Sequence, residues 1–301
     1  MKHFNIYLTQ LLVLAMLGIP GKDALAQYKL QIFHASDLEG GVEAIGKAPR
    51  FAAIIDTLEH AYPNTLILSA GDNYISGPFY SSADASAVRD SIQKVYKEFF
   101  NVSSSNLREG PGRIDISVMN LIGFHASALG NHEFDLGTAA ISGVIKPDVS
   151  GAAISNVRWV GNMFPYLSSN LDFKADNNLF GIFDSVIKDA DNFKFTYTNT
   201  TAKTKSIAPA TYITVNGEKI GVVGATTPML QRISSPGDTK VKNPGAGTND
   251  MNALASLIQP QIDALVNDHS INKIILVSHL QQYQLEVALA PLLSKVDVII
   301  S

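Results

Sequence analysis

What most constrains this chain is a recurring pair of features: a short apolar run, then a polar turn at its far end. Lys29 to Ala35 leads into Ser36-Asp37-Leu38-Glu39-Gly40-Gly41, and Thr65 to Ala70 leads into Gly71-Asp72-Asn73. Ala126 to Leu129 leads into Gly130-Asn131-His132-Glu133-Phe134-Asp135, and Lys273 to Ser278 ends at His279. Runs of this length bounded by glycine and polar residues read as buried strands. Helical spacing falls between them. Phe51, Ile54, Ile55 and Leu58 predict a helix from Pro49 to His60, with the proline at its start. Ile116 to Ile122 reads as helix, as does Asp250 to Asp268 with a break or kink near Pro260. Asn216-Gly217 between Tyr212–Val215 and Lys219–Ala225 is a hairpin signal, and Val296 to Ile300 reads as a last strand. Strands alternating with helices predict an α/β fold whose sheets are covered by helices, and the hairpin makes the sheets mixed.

Composition narrows the function classes. The formal charge of −4 offers no polybasic surface, so no nucleic-acid partner is expected. There is no cysteine, which removes disulfides, thiolate ligands and a cysteine nucleophile together. Residues 1–26 read as a signal peptide: Lys2 and His3 precede an apolar stretch from Ile6 to Ile19, and Ala24-Leu25-Ala26 offers a cleavage site. Gly18, Pro20 and Gly21 interrupt that stretch too early for a membrane anchor, which needs ~20 apolar residues. The expectation is export to a periplasmic or extracellular location, with no membrane span after cleavage. Residues 27–301 are expected to form one catalytic domain with insertions near 76–111 and 172–204, where polar sequence runs too long for plain connections. The abrupt stop at Ser301, directly after a strand, suggests a domain incomplete at its C-terminus.

In α/β sheets, ligands gather beyond the carboxyl ends of the strands. Four such ends here carry Asp37 and Glu39, Asp72, Asn131 to Asp135, and His279. Taken alone, the 130–135 turn is equally readable as a polar turn capping a helix. So many carboxylates in one cleft require cations between them, because like charges at short range raise one another's pKa. Oxygen and nitrogen donors without sulfur suit divalent Mn, Zn, Mg, Ca or Fe.

The ordered segments Ile32-Phe33-His34-Ala35-Ser36-Asp37, Ser69-Ala70-Gly71-Asp72-Asn73, Gly130 to Asp135 and Val277-Ser278-His279 resemble those of the calcineurin-like metallophosphoesterases. Within these, Phe164 to Asn170 and Lys219 to Pro228 are similar to exported bacterial 5′-nucleotidases and cyclic-nucleotide phosphodiesterases. The resemblance implies a four-layer α/β/β/α sandwich of two mixed sheets around two divalent metal ions. It implies hydrolysis of a small phosphate ester, a nucleotide above all, by two-metal activation of water. Carried over by position, Asp37 ligates the first metal, Asp72 bridges both, and Asn131 and His279 ligate the second. His132, braced by Asp135, steadies phosphoryl charge and assists the leaving oxygen.

Two departures from the family pattern matter. Glu39 stands where the pattern Asp-x-His has histidine; it is expected to ligate as an oxygen donor. The Gly-His-x-His segment that closes the family's site, and a nucleotide-binding second domain, do not occur within these 301 residues. An alternative therefore stands beside the enzyme: a protein of this fold that binds metal or ligand through a degenerate site without catalysis. The other histidines have plainer readings, His34 and His125 as packed strand residues and His60 and His269 as helix-end groups. Glu133 is expected to point away from its neighbour His132.

Overall fold

The computed structural model describes residues 28–151, 153–195 and 205–301. The expected signal peptide lies outside the described residues. Gln31–Ser301 form one compact unit.

The strands of the two main sheets are β1 (Gln31–Ala35), β2 (Thr65–Ser69), β3 (Ala126–Ala128), β4 (Tyr166–Leu167), β5 (Lys188–Asp189), β6 (Ile207–Ala208), β7 (Ala210–Val215), β8 (Glu218–Thr226), β9 (Ile274–His279) and β10 (Val298–Ile300). They form two five-stranded sheets, ordered β1-β2-β3-β4-β6 and β10-β9-β8-β7-β5. Every described pairing in the first sheet is parallel. Mixed character belongs to the second sheet, where β7 and β8 pair antiparallel across Asn216-Gly217. Both turn residues have positive φ, 48° and 86°, the conformation that lets a two-residue hairpin follow the strand twist.

The helices are α1 (Gly41–Ala61), α2 (Arg89–Phe100), α3 (Arg113–Ile122), α4 (Thr138–Ile145), α5 (Met251–Asn267) and α6 (Tyr283–Leu289). Helix α1 begins eight residues before the expected start, so Pro49 lies inside it. A proline there forfeits one main-chain hydrogen bond, and the helix continues because Ala44, Ile45, Ala48, Phe51 and Ile55 keep one apolar face. Helix α5 runs through Pro260, and its N-terminus is capped by Asp250, which accepts from the N–H groups of Asn252 and Ala253. Ile55 of α1, Tyr96 of α2 and Ile116 and Met119 of α3 bury against Ile67, Leu129 and Tyr166 of the first sheet. Leu254, Ile258, Ile262 and Leu265 of α5 bury against Val223, Ala225 and Leu276 of the second. The sheets meet along β3 and β8, where the Thr226 hydroxyl donates to the Leu129 carbonyl (2.7 Å).

The segment expected as an insertion near 76–111 contains α2, and Tyr96 is fully buried, its ring edge-on to Trp159 at 5.7 Å. In the 172–204 segment, Phe173, Leu179, Ile182 and Phe193 are buried, and β5 adds an edge strand beside β7.

Candidate metal centre

Parallel pairing sets the site. Ala35 is level with Ser69 and Ser69 with Ser127, so the turns after β1, β2 and β3 leave the sheet side by side. Asp37, Glu39 and Asp72 sit at φ 49°, 51° and 52°, an uncommon conformation for residues with a Cβ. It is held by main-chain bonds between the turns: Asp37 N–H to Gly71 O (3.1 Å) and Glu39 N–H to Asp72 O (3.0 Å). Gly130 packs so closely on Asp72 that a Cβ there would collide with the Asp72 carboxylate.

Asp37, Asp72 and His279 bring one donor atom each within 4.8 Å of one another, a group able to hold a metal ion. Asp72 is buried; its Oδ1 accepts the His132 main-chain N–H (2.8 Å) and its Oδ2 lies 2.9 Å from His279 Nε2. The other ring nitrogen of His279 is 3.0 Å from the Ala70 carbonyl. Asn131 Oδ1 is 3.2 Å from His279 Nε2. Burial acts to lower the His279 pKa, but the hydrogen bond and charge of Asp72 outweigh it and carry the group up to about 9. An imidazole kept protonated by surrounding carboxylates is the charge balance that a divalent cation would replace. The donor set therefore fits a metal.

His132 stands beside this cluster. Its Nδ1 is 2.6 Å from Asp135 Oδ2, and its Nε2 is 3.9 Å from Asp72 Oδ2. The Ser234 hydroxyl donates to the second Asp135 oxygen (2.9 Å). Partial burial works to lower the His132 pKa, while the Asp135 hydrogen bond and the charges of Asp72, Asp135 and Glu39 raise it above its usual value.

Four of the five expected ligands, Asp37, Asp72, Asn131 and His279, thus converge, as do the expected partners His132 and Asp135. Glu39 stays outside the three-residue group: its side chain is exposed and its main chain is tied to Asp72. Glu133 faces inward. It is 1% exposed and turns beneath the turns, accepting the N–H groups of Asn73 (2.8 Å), Gly130 (2.9 Å) and Asp72 (3.1 Å). Burial and the Asp72 charge raise its pKa to about 7. A carboxylate inside the Asn-His-Glu run was the available signal; only the three-dimensional arrangement gives it its partners. Gln281 was not singled out; its amide contacts Asn131 and lies 2.8 Å from His279 Nε2.

The remaining histidines divide. His125 is half-buried and stands just before β3 rather than within a strand; it accepts the Ile67 N–H (3.1 Å) and is pushed down to about 4, chiefly by burial. His34 is exposed rather than packed, because β1 is the edge of its sheet. His60 Nδ1 meets the Asp56 carbonyl within α1 (2.6 Å), and His269 lies against Tyr212 with ring centroids 5.3 Å apart.

No family model matches the chain. In sequence it is 26% identical over 282 residues to the trifunctional nucleotide phosphoesterase protein YfkN of Bacillus subtilis, covering 93% of this chain and 16% of that protein. It is 25% identical over 298 residues to a 5′-nucleotidase of Mus musculus, covering 94% of this chain and 39% of that one. In structure it is similar to a 5′-nucleotidase precursor from Thermus thermophilus (TM-score 0.55, 22% identity, 90% of this chain and 41% of that one). NAD nucleotidase of Haemophilus influenzae is also similar (TM-score 0.52, 22% identity, 90% of this chain and 42% of that one). The fold and the clustered donors resemble those expected of a metallophosphoesterase domain. The chain is thus similar in sequence to nucleotide phosphoesterases and 5′-nucleotidases and shares the fold of the latter, in line with the resemblance to the calcineurin-like metallophosphoesterases. It spans between 16% and 39% of the length of the two curated relatives named. Among the described residues, no helix is long and apolar enough to cross a membrane.

Proposed function

We propose that this domain hydrolyses phosphate esters, nucleotides above all, with two divalent cations held by Asp37, Asp72, Asn131 and His279. The observation that carries the reading is the His132–Asp135 pair at 2.6 Å, set beside the Asp72 carboxylate. Divalent cations supply Lewis acidity: they make water acid enough to attack phosphorus near neutral pH and offset phosphoryl charge. The chain's own residues do the rest. The His279 Nδ1–H donates to the Ala70 carbonyl, which aims Nε2 at the cluster. The His132 main chain fixes one Asp72 oxygen and leaves the other free to face the cations. Asp135, itself held by Ser234, accepts a hydrogen bond from the Nδ1–H of His132 and keeps the ring positive. His132 Nε2–H then meets the oxygen on which charge develops as the phosphorus–oxygen bond breaks, and gives it the proton.

Nucleotides are the favoured substrates because the relatives' names, nucleotide phosphoesterase, 5′-nucleotidase and NAD nucleotidase, share that chemistry. Export of residues 27–301 after removal of residues 1–26 belongs to the same reading. The test is turnover of an aryl phosphate and of nucleoside monophosphates with added Mn²⁺. Activity abolished by His132→Ala and by Asp72→Ala supports the reading; unchanged activity in either ends it.

The exposed side chain of Glu39 favours a second reading, in which the first cation is weakly held and the domain binds without turnover. Cation binding by calorimetry, with no hydrolysis of any phosphate ester, would select it.

A further inference from the structure

A cavity lies beside the same turns, between α1 and α3. It measures about 200 Å³, and Leu38, Gly40, Ala44, Phe51 and Met119 give it apolar walls. One polar group in it stands out. Asp115 is 5% exposed, and neither of its carboxylate oxygens has a hydrogen-bond partner from any other described residue. Oδ1 rests against Gly40, which takes φ +65° and has no Cβ; a Cβ there would collide with that oxygen. The chain thus keeps a carboxylate in an apolar pocket, where an unpaired charge is costly.

We infer that this cavity binds a small cation, a protonated amine or amidine on a single apolar ring, whose N–H groups bond the free oxygens of Asp115. The volume suits one ring: a buried apolar cavity of ~150 Å³ admits benzene. The walls suit the ring's faces, and the carboxylate suits a charged donor better than a neutral one. Within the chain, the Lys47 ammonium is a candidate partner, since Lys47 also lines the cavity. It is turned outward, 3.2 Å from Glu43, with 73% of its side chain exposed. A ligand seated here touches Leu38, between Asp37 and Glu39, and Asn73, next to Asp72.

The probe is benzamidine, titrated by calorimetry into the metal-free protein, so the readout is independent of turnover. Its neutral control is benzyl alcohol. Saturable binding is expected by ~10 mM, and loss of the charge-assisted bond in Asp115→Asn should weaken it about tenfold or more. Ala44→Leu, which fills the cavity from α1 and keeps the Asp115 carboxylate, should abolish binding while leaving the fold intact by circular dichroism. That variant also separates this cavity from the acidic metal cluster, where a cation could bind without it. Equal affinity for benzamidine in the parent and Ala44→Leu overturns the proposal, as does equal affinity for benzyl alcohol. Binding that appears only in Lys47→Ala also overturns it, because Lys47 would then be the natural occupant.

Discussion

Glu133 Oε2 accepts the main-chain N–H of Asp72 at 3.1 Å, so the carboxylate proposed to bridge two cations rests on a second carboxylate buried beneath it. The same side chain gathers Asn73 and Gly130, tying the turns after β2 and β3 into one piece. Replacing it with alanine orphans three buried N–H groups. Each orphaned buried N–H costs about 1–3 kcal/mol, and removing a buried carboxylate offsets part of that sum, so Glu133→Ala should lower stability by about 3–5 kcal/mol in urea denaturation. Glu133→Gln keeps the shape and one acceptor oxygen, and the expected loss is about half as large. Equal stability of the alanine variant and the parent would remove Glu133 from this role.

The His132–Asp135 pair carries a pH prediction. The imidazole is held above its usual pKa, so its acid form persists to higher pH than for a free histidine. A reaction needing that acid form keeps kcat/KM constant below the raised pKa and loses it as pH rises through it. In Asp135→Asn the carboxylate is gone, and the falling limb should move to lower pH. General acid catalysis is worth ~10²–10⁴ in rate, so kcat should fall by about that factor in His132→Ala, with KM changed much less. A limb that stays put in Asp135→Asn would detach it from His132.

Asp115 makes an opposite kind of forecast, on stability. Burial raises its pKa from the ordinary 3.8 to about 6. The folded state therefore holds this proton over a range in which the unfolded chain has released it. Stability from this site is present below the unfolded value, declines as pH rises from about 4 to about 6, and stays low above. At ~1.4 kcal/mol per pH unit the charged form costs up to about 3 kcal/mol above pH 6. Asp115→Asn should then be more stable than the parent at pH 8 by about 1–3 kcal/mol, an advantage that disappears near pH 4. Thermal melts at the two pH values check it, and a constant difference between them refutes the unpaired charge.

Much of the site could be read along the chain because each donor follows a strand of strong local character. Thr65 to Ser69 is buried throughout, so its end, and hence Asp72, is fixed by burial alone. The parallel register then brings Asp37 and Asn131 alongside, an outcome that strand–helix alternation implies. What stayed hidden depends on direction rather than order. Sequence spacing does not give the way Glu133 turns within a 3₁₀ turn, nor the positive φ at Asp37, Glu39 and Asp72. Helix α1 started early because its apolar face outweighs one proline. His34 lost its packed surroundings because nothing in a strand's own sequence says that it sits at the edge.

Metal binding gives the sharpest contrast between neighbouring residues. Asp72 is 1% exposed and in contact with His279, whereas Glu39 is exposed and outside the group of converging donors. A cation that binds only the folded form raises stability by about 2.7 kcal/mol at a hundredfold excess over its Kd. Mn²⁺ should therefore raise the Tm of the parent by several degrees, and EDTA should reverse the gain. Binding must displace the proton of His279, which its acidic neighbours hold to about pH 9. Mn²⁺ added to weakly buffered protein at pH 7 should accordingly release protons, and tighten its grip as pH rises. Asp72→Asn should abolish the Tm gain, since the shared carboxylate is lost. Glu39→Gln should change the Mn²⁺ affinity by less than about tenfold, the equivalent of ~1.4 kcal/mol. If Glu39→Gln proves as damaging as Asp72→Asn, the exposed glutamate swings inward to ligate, and the second reading of the site loses its support.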